Sequence, residues 1–555
     1  MRKIPLGSSS FSEILSDPDL FYVDKTDFIV EFLQESAKIS LITRPRRFGK
    51  TLNLSMLRYF FDQKNAGENR RLFENLEIGQ NQAAMSQQGS RPVIALTFKD
   101  CKARNWEDLQ DAVAGLLARV AREHSPAFSQ EIKTPAWFAA VFEKKASFEE
   151  SFAFLANLMG LYHQKGMHPL LLIDEYDVPL QEAWQHGCWE EAIAFFRNFF
   201  SASFKDNPHI WRGVLTGCLR ISRESMFTGL NNLKVYSVSS QGYSSHFGFT
   251  QEETVKALEE FGLSTHLEDV ENWYNGYCFG KTTIYNPWSI SCFLDNKKLQ
   301  PYWVNTSGQQ MEKSLLKKSN QDIKKELQIL MSGGGITVNL QEQAVFENLE
   351  RHPENFWNFL YQTGYLKAVA LHLSPQNPRP AVELKIPNLE VQGIYLNSIQ
   401  SWFIETQSQN AMIEVGKALQ KGDAEEFSAI FQEIVTQSFS YFDVEKKNPE
   451  SFYHAFILGM MVQFSNIWQI KSNREAGFGR ADVLLIPKNP HDTTGVIFEF
   501  KRRRGKEDLE AAAQNALKQI QERQYAHELK ASGCQEILEI GVGFSGKETA
   551  ILIGP

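Results

Sequence analysis

Three short stretches bring together residue types that could do chemistry. The first is residues 38–55, KISLITRPRRFGKTLNLS. A short apolar segment, Ile39 to Ile42, enters a basic turn, and Gly49-Lys50-Thr51 then open an amphipathic helix. That order suits a phosphate-binding loop. N–H groups at the helix N-terminus face an anion, Lys50 adds a point charge for β- and γ-phosphates, and the Thr51 hydroxyl can ligate Mg²⁺. Arg44 stands where a regular loop has a glycine, five residues before Gly49, and Pro45, Arg46 and Arg47 fill the turn. A basic surface turn is the competing reading of so short a string.

The second stretch is PLLLIDEYDVPL, residues 169–180. Four apolar residues, Leu170 to Ile173, run directly into Asp174 and Glu175. An interior strand ending in two carboxylates is costly unless the acids meet a cation or polar ligand at the sheet edge. Asp174 would hold Mg²⁺, directly or through water, and Glu175 would polarise an attacking water. The alternative is that the acids cap the following helix. WRGVLTGC, residues 211–218, reads as another buried strand and places Thr216 where it could sense a γ-phosphate. Arg220 and Arg223 follow; either could reach phosphate in cis or in a neighbouring subunit, or be solvated.

The third stretch lies near the C-terminal end. Asp482 opens the apolar strand VLLI, and on the next strand Glu499 and Lys501 flank Phe500. Period-2 geometry sends both charged side chains to one face and Phe500 to the other. The loop between the strands makes an antiparallel pair, so Asp482 can lie beside Glu499. Two carboxylates with an ammonium form a hard-cation site, in which Mg²⁺ or Mn²⁺ would bind Asp482, Glu499 and a backbone carbonyl. Lys501 would position a metal-activated water and stabilise charge growing on a phosphodiester. Glu475, in the loop before these strands, is a further candidate ligand. Lys501 to Arg504 with Lys506 form a basic ridge suited to a nucleic-acid backbone. An exposed strand with a salt bridge is the competing reading.

The elements that must position these groups alternate. Apolar runs at residues 39–42, 91–98, 170–173, 211–218 and 233–238 are separated by helical periodicity at 106–124 and 148–163. Strands alternating with helices imply a mostly parallel sheet with its ligand at the carboxyl edge. From about Phe247 short helices and aromatic turns take over, beginning with a Thr250–Glu253 capping box, and suggest a helical lid. Four segments result: an ATPase core at 1–246, a lid at 247–345, a connector at 346–448 and a metal-dependent unit at 449–555. The expected fold class is α/β throughout.

Composition bounds the rest. A chain of 555 residues exceeds what one core supports. A net charge of −8 provides no global attraction for nucleic acid, so such binding must come from local basic patches. No apolar run is long enough to span a bilayer, the N-terminus lacks the apolar core of a signal peptide, and the six cysteines form no C-x-x-C pair. Those features fit a reducing cytoplasm and no membrane partner.

FYVDKTDFI, RPRRFGKT, LLLIDEYDVPL, TGCLRISRESMFTGLNNL, YNGYCFG, YNPWS and YWVNTS together resemble the bacterial AAA-ATPase-like family. SNREAGFGRADVLL, FEFK and ALKQIQERQY are similar to the PD-(D/E)XK nuclease domain in which members often end. An arginine-rich loop before GK is usual in that family. The resemblance implies nucleotide binding by Gly49, Lys50 and Thr51, with Arg46, Arg47 and Phe48 in the phosphate loop, and Asp174 and Glu175 as the acidic pair. The turn arginines then read as part of the phosphate cradle or as clamps beside it. It also implies a restriction-endonuclease-like αβββαβ core with Asp482, Glu499 and Lys501 as its site. Gln519 and Tyr525 match its helix pattern, with Gln521 a competing choice. The expected cofactors are ATP and Mg²⁺, with Mn²⁺ allowed at the nuclease site. The expected partner is nucleic acid, DNA in preference to RNA, and an arginine acting in trans would make the protein a homo-oligomer. The leading expectation is an ATP-hydrolysing protein coupled to a Mg-dependent nuclease. The alternative is a switch ATPase whose nuclease-like domain only binds nucleic acid or a partner.

Overall fold

A computed structural model describes residues 2–128, 135–221, 226–227, 232–303, 315, 321–331, 333–341, 349, 352–374, 377–395, 409–441, 457, 461, 464, 467–476, 479–489, 494–503, 507–523, 525–545 and 548–554. The chain divides into two compact units, Met1–Met311 with Thr337–Val391, and Glu312–Ile336 with Gln392–Pro555. This division is coarser than the four expected segments. It groups residues 247–311 and 353–391 with the N-terminal sheet.

That sheet has five parallel strands: β1 (Ile39–Thr43), β2 (Val93–Thr97), β3 (Leu170–Asp174), β4 (Arg212–Gly217) and β5 (Leu233–Tyr236), in the order β2-β3-β4-β1-β5. Every residue of β1 and β3 is buried, as expected of strands covered on both faces. The order puts β4 between the phosphate-loop strand and the acidic strand, with Ile42 opposite Thr216 and Ile173 opposite Leu215. Two helices of this unit start where the sequence supplies caps. Asn105 accepts from the Asp108 N–H ahead of Trp106–His124, and Ser147 with Glu150 forms a capping box ahead of Phe148–Gln164.

The lid is helical. The Thr250–Glu253 capping box opens Gln251–Glu260, and Leu267–Tyr274 and Pro287–Asn296 follow around the hairpin β6 (Tyr277–Phe279) and β7 (Thr282–Ile284). Leu258, Phe261, Val270, Tyr274, Ile290 and Phe293 form its core. Beyond it, β8 (Ile336–Asn339), β9 (Lys367–Ser374) and β10 (Asn377–Lys385) make a small sheet in the order β8-β10-β9.

The second unit holds a five-stranded sheet in simple chain order: β11 (Trp468–Ala476), β12 (Gly479–Pro487), β13 (Thr494–Arg502), β14 (Glu536–Ser545) and β15 (Glu548–Ile553). All neighbours are antiparallel except β13 and β14. The crossover between those two is the helix Leu509–Glu522 and the short helix Ala526–Ala531. The expected helix at 449–464 falls largely outside the described residues. Glu475 is not in a loop: it is part of β11, paired in register with Arg480, because the ladder continues through the polar SNREA segment.

Candidate active sites

The nucleotide candidate sits at the carboxyl edge of β1, β4 and β3. Gly49 takes φ 82° and caps the helix Lys50–Phe61, while Arg47 takes φ 68°. The left-handed residues are thus 47 and 49, so residue 44 does not need to be glycine. A Cβ built on Gly49 would meet nothing within 4 Å, which leaves open space above the loop for an anion. The Lys50 ammonium arches over the turn and donates to the carbonyls of Arg44 (2.9 Å) and Pro45 (2.8 Å), with Cys218 Sγ at 3.5 Å.

Arg44 is not part of the phosphate cradle. It is fully buried, and its guanidinium donates to the carbonyls of Thr43, Tyr236, Ser237, Gly242 and Tyr243. The rings of Phe247 and Phe279 lie 5.3 and 4.8 Å from its Cζ. Burial lowers this guanidinium to about 9. Arg44 therefore ties β1 to the segment after β5, a job for a five-donor fork rather than for a glycine. Phe48 is also buried, packed against Tyr277 and Phe279 at 4.9 and 5.3 Å between ring centroids, so only its main chain is available to phosphate. Arg46 donates to Gln181 Oε1 (3.2 Å), and Arg47 lies over the Trp288 ring.

Asp174 is the hub. Its Oδ2 accepts from Thr51 Oγ1 at 2.6 Å, and its Oδ1 accepts from Thr216 Oγ1 at 2.5 Å and from the Glu175 N–H at 3.0 Å. The ends of β1, β4 and β3 thereby converge on one carboxylate, next to the hydroxyl that would face a metal. The acids do not cap the next helix, which begins at Val178 after Asp177 without a side-chain cap. Glu175 takes φ 50°, a strained value for a side chain with a Cβ, and burial followed by the Asp174 charge raises its carboxyl above the usual range.

Asp177, which sequence reasoning passed over, straps this turn down. Its Oδ2 accepts from the N–H groups of Cys218 and Leu219, both at 2.9 Å, and from Gln181 Nε2 at 2.7 Å. Tyr176 Oη donates to the Leu219 carbonyl and accepts from the Ile221 N–H. The signal was available as the third acid of IDEYD. Arg220 is half-buried in the strapped segment, and Arg223 lies outside the described residues.

The metal candidate lies on β12 and β13. Their register pairs Val483 with Phe498, which brings Asp482 alongside Glu499. Asp482 Oδ2 accepts from the Phe500 N–H at 2.9 Å. Glu499 is 1% exposed, and its Oε1 accepts from Lys501 Nζ at 3.3 Å and from Gln519 Nε2. Gln519 Nε2 is also 3.3 Å from Tyr525 Oη, so Asp482, Glu499, Lys501, Gln519 and Tyr525 come together. Phe500 faces away, toward Phe498 and Phe544.

The Glu499 Oε2 atom is buried with no hydrogen-bond partner among the described residues. Burial first, then the Asp482 charge, pushes the Glu499 carboxyl up to about 8. A buried, half-satisfied acid beside a second acid is costly, and a divalent cation is the kind of group that fits it. Among the described residues no three His, Cys, Asp or Glu side chains converge as a metal site. A cation here would rest on two carboxylates and main-chain oxygen and keep several waters. Gln521 is exposed, and the Glu475 and Lys506 side chains and Arg504 are outside what the structure describes.

Residues 5–227 match the family model described as Predicted AAA-ATPase, and residues 448–552 match the PD-(D/E)XK nuclease superfamily. The chain thus carries, in order, one segment similar to each of these two families. A protein of Azotobacter chroococcum mcd 1, described as "Uncharacterized protein in vnfD 5'region", is 26% identical over 558 residues, covering 99% of this chain and 98% of its own length. The AAA-ATPase match contains the loop at Gly49–Thr51, Asp174 and Thr216; the nuclease-superfamily match contains Asp482, Glu499 and Lys501. Together they point to an enzyme. No helix among the described residues is long and apolar enough to cross a membrane.

Proposed function

We propose that the chain binds and hydrolyses ATP in its N-terminal unit and cleaves phosphodiester bonds of nucleic acid, DNA in preference to RNA, in its C-terminal unit, with ATP gating the cut. The observation that carries the first half is the grip of Thr51 and Thr216 on opposite oxygens of Asp174. The Arg47–Lys50 main chain and the Lys50 ammonium hold phosphates, and Thr51 and Asp174 hold Mg²⁺. Glu175 orients a water, its raised carboxyl suiting it to take a proton. Thr216 fixes Asp174, and Arg220 is the candidate finger or sensor within the described residues.

In the C-terminal unit the orphaned Glu499 oxygen carries the reading. Glu499 and Asp482 would hold Mg²⁺ or Mn²⁺, which when bound supplies an activated water and neutralises phosphate charge. Lys501 stabilises the phosphate, and Gln519 and Tyr525 orient Glu499. A cleavage assay over single- and double-stranded DNA and RNA, with Mg²⁺ or Mn²⁺ and with or without ATP, tests this. Wild type is expected to cut, Asp482→Ala to lose cutting but keep ATP turnover, and Lys50→Ala to lose ATP turnover. Wild-type protein that cuts none of these substrates would leave a nucleic-acid-binding switch instead.

A further inference from the structure

The strained arginine turn is held from outside by groups that neither proposed reaction uses. Arg47, at φ 68°, adopts a left-handed conformation disfavoured for any residue with a Cβ. Two contacts restrain it. Trp303 Nε1 donates to the Arg46 carbonyl at 3.0 Å, and the Arg47 guanidinium lies 4.5 Å from the centroid of the Trp288 ring. Both lead to one buried acid. Glu390 Oε1 accepts from the Trp303 N–H at 2.6 Å, and Oε2 accepts from Ser289 Oγ at 2.8 Å. Ser289 follows Trp288 at the start of the lid helix Pro287–Asn296. Glu390 is completely buried, and the Trp303 ring packs on Tyr365 at 5.0 Å.

We propose that Glu390 is a positioning residue of the nucleotide site: it locks Trp303 and the lid helix, and through them the Arg46 carbonyl and the Arg47 side chain, so that the turn is set before phosphate arrives. The ligand named here rests on the ATP reading; the clamp itself does not. A carboxyl side chain suits the post because donors converge on it from Ser289, Trp303 and the Tyr302 N–H, and it offers two oxygens to them.

Burial pushes the Glu390 carboxyl up to about 7. The ionisable groups that face it are Tyr274, Tyr277, Cys292 and Tyr302, with Arg47 beyond Cys292. Burial raises each of the tyrosines and lifts the Cys292 thiol to about 11, so among these Glu390 alone titrates near neutrality. The closed clamp holds this proton more tightly than an opened, hydrated one would. Closure is therefore firmest below the ordinary carboxylate value and weakens as pH rises to about 7. Glutamine at this position carries no charge to hydrate and removes that dependence.

Hydrogen exchange in the ligand-free full chain, followed over peptides spanning residues 44–50 and corrected for intrinsic rates, reads the clamp directly. Trp303→Phe keeps the aromatic packing and removes only the donor to Arg46. It and Glu390→Ala are expected to speed exchange there by about tenfold. Wild type is expected to exchange faster at pH 8 than at pH 6, and Glu390→Gln to show the slow rate at both. Unchanged exchange in Trp303→Phe, or a rise shared equally by the buried β3 amides, would overturn the proposal. Equilibrium dialysis with ATP then separates the two readings. Weaker binding by Trp303→Phe supports a positioning role, and unaltered binding overturns it. Wild type that binds no ATP but shows the exchange pattern would overturn the ATP ligand and leave the clamp.

Discussion

Glu499 is placed where a carboxylate has most to gain from a cation and most to lose without one. Its carboxyl rises from an ordinary 4.5 to about 8, so the metal-free fold prefers it protonated. That preference costs nothing below pH 4.5 and destabilises the fold progressively as pH climbs toward 8. Glu499→Gln is therefore expected to raise metal-free stability at pH 8 by about 1–3 kcal/mol, the range for relieving a buried unsatisfied group. Mn²⁺ is expected to raise the melting temperature of wild type, and the same change should abolish that rise. Thermal unfolding with and without Mn²⁺ checks both; a Glu499→Gln protein still stabilised by Mn²⁺ would remove Glu499 from the ligand set. Asp177 presents the opposite case, a buried acid fully used by the protein. Asp177→Ala leaves the Cys218 and Leu219 N–H groups without their acceptor and is expected to cost about 2–4 kcal/mol in urea unfolding. ATP turnover should fall as well, because Thr216 and Arg220 flank the released segment.

At the level of elements, the helix Leu509–Glu522 is the part that brings Gln519 to Glu499, and two glycines set its height above the sheet. A Cβ on Gly541 would come 2.5 Å from the Ala513 carbonyl, and one on Gly543 would come 2.5 Å from the Leu509 carbonyl. The obstructing atoms are backbone, so the helix itself must move. Gly541→Ala is expected to cost about 1–3 kcal/mol through overpacking. It should also cut cleavage while leaving ATP turnover untouched, and paired unfolding and activity assays would show otherwise if the helix were only scaffolding. Much of this was legible in the chain. Buried parallel strands announce themselves as apolar runs, so β1, β3 and β4, with Asp174 and Thr216 at their ends, could be read directly. The E-x-K alternation on β13 fixed the shared face of Glu499 and Lys501. Arg44 could not be read, because its five carbonyl acceptors lie on β1 itself and some 190 residues downstream. Glu390 was equally silent: a lone acid in the first turn of a helix looks like an ordinary solvated or capping residue, and its partners come from two distant segments.

For the whole molecule, the division into units matters more than the boundaries suggested by composition. The N-terminal unit is discontinuous, taking in Met1–Met311 and then Thr337–Val391. Parts of residues 353–391 pack against the phosphate loop and the lid. Gly364 would drive a Cβ to 2.8 Å from Pro45 in the phosphate loop, and Asn388 Nδ2 donates to the Asn275 carbonyl in the lid. Trp303, 2% exposed, has Glu390 and Tyr365 among its partners. A fragment ending at residue 345, the boundary expected of an ATPase core with its lid, would strip away those partners and expose a tryptophan and the loop it steadies. A fragment ending at residue 391 would keep them. We therefore expect the 1–391 fragment to be monodisperse with a cooperative thermal transition and ATP-dependent stabilisation. The 1–345 fragment should aggregate or unfold without cooperativity, since losing a side of a packed core removes several kcal/mol from a stability of only about 5–15 kcal/mol. Chromatography and calorimetry of the two fragments decide the point. Equal behaviour would mean that residues 346–391 are a detachable connector after all, and that the phosphate loop needs nothing from them.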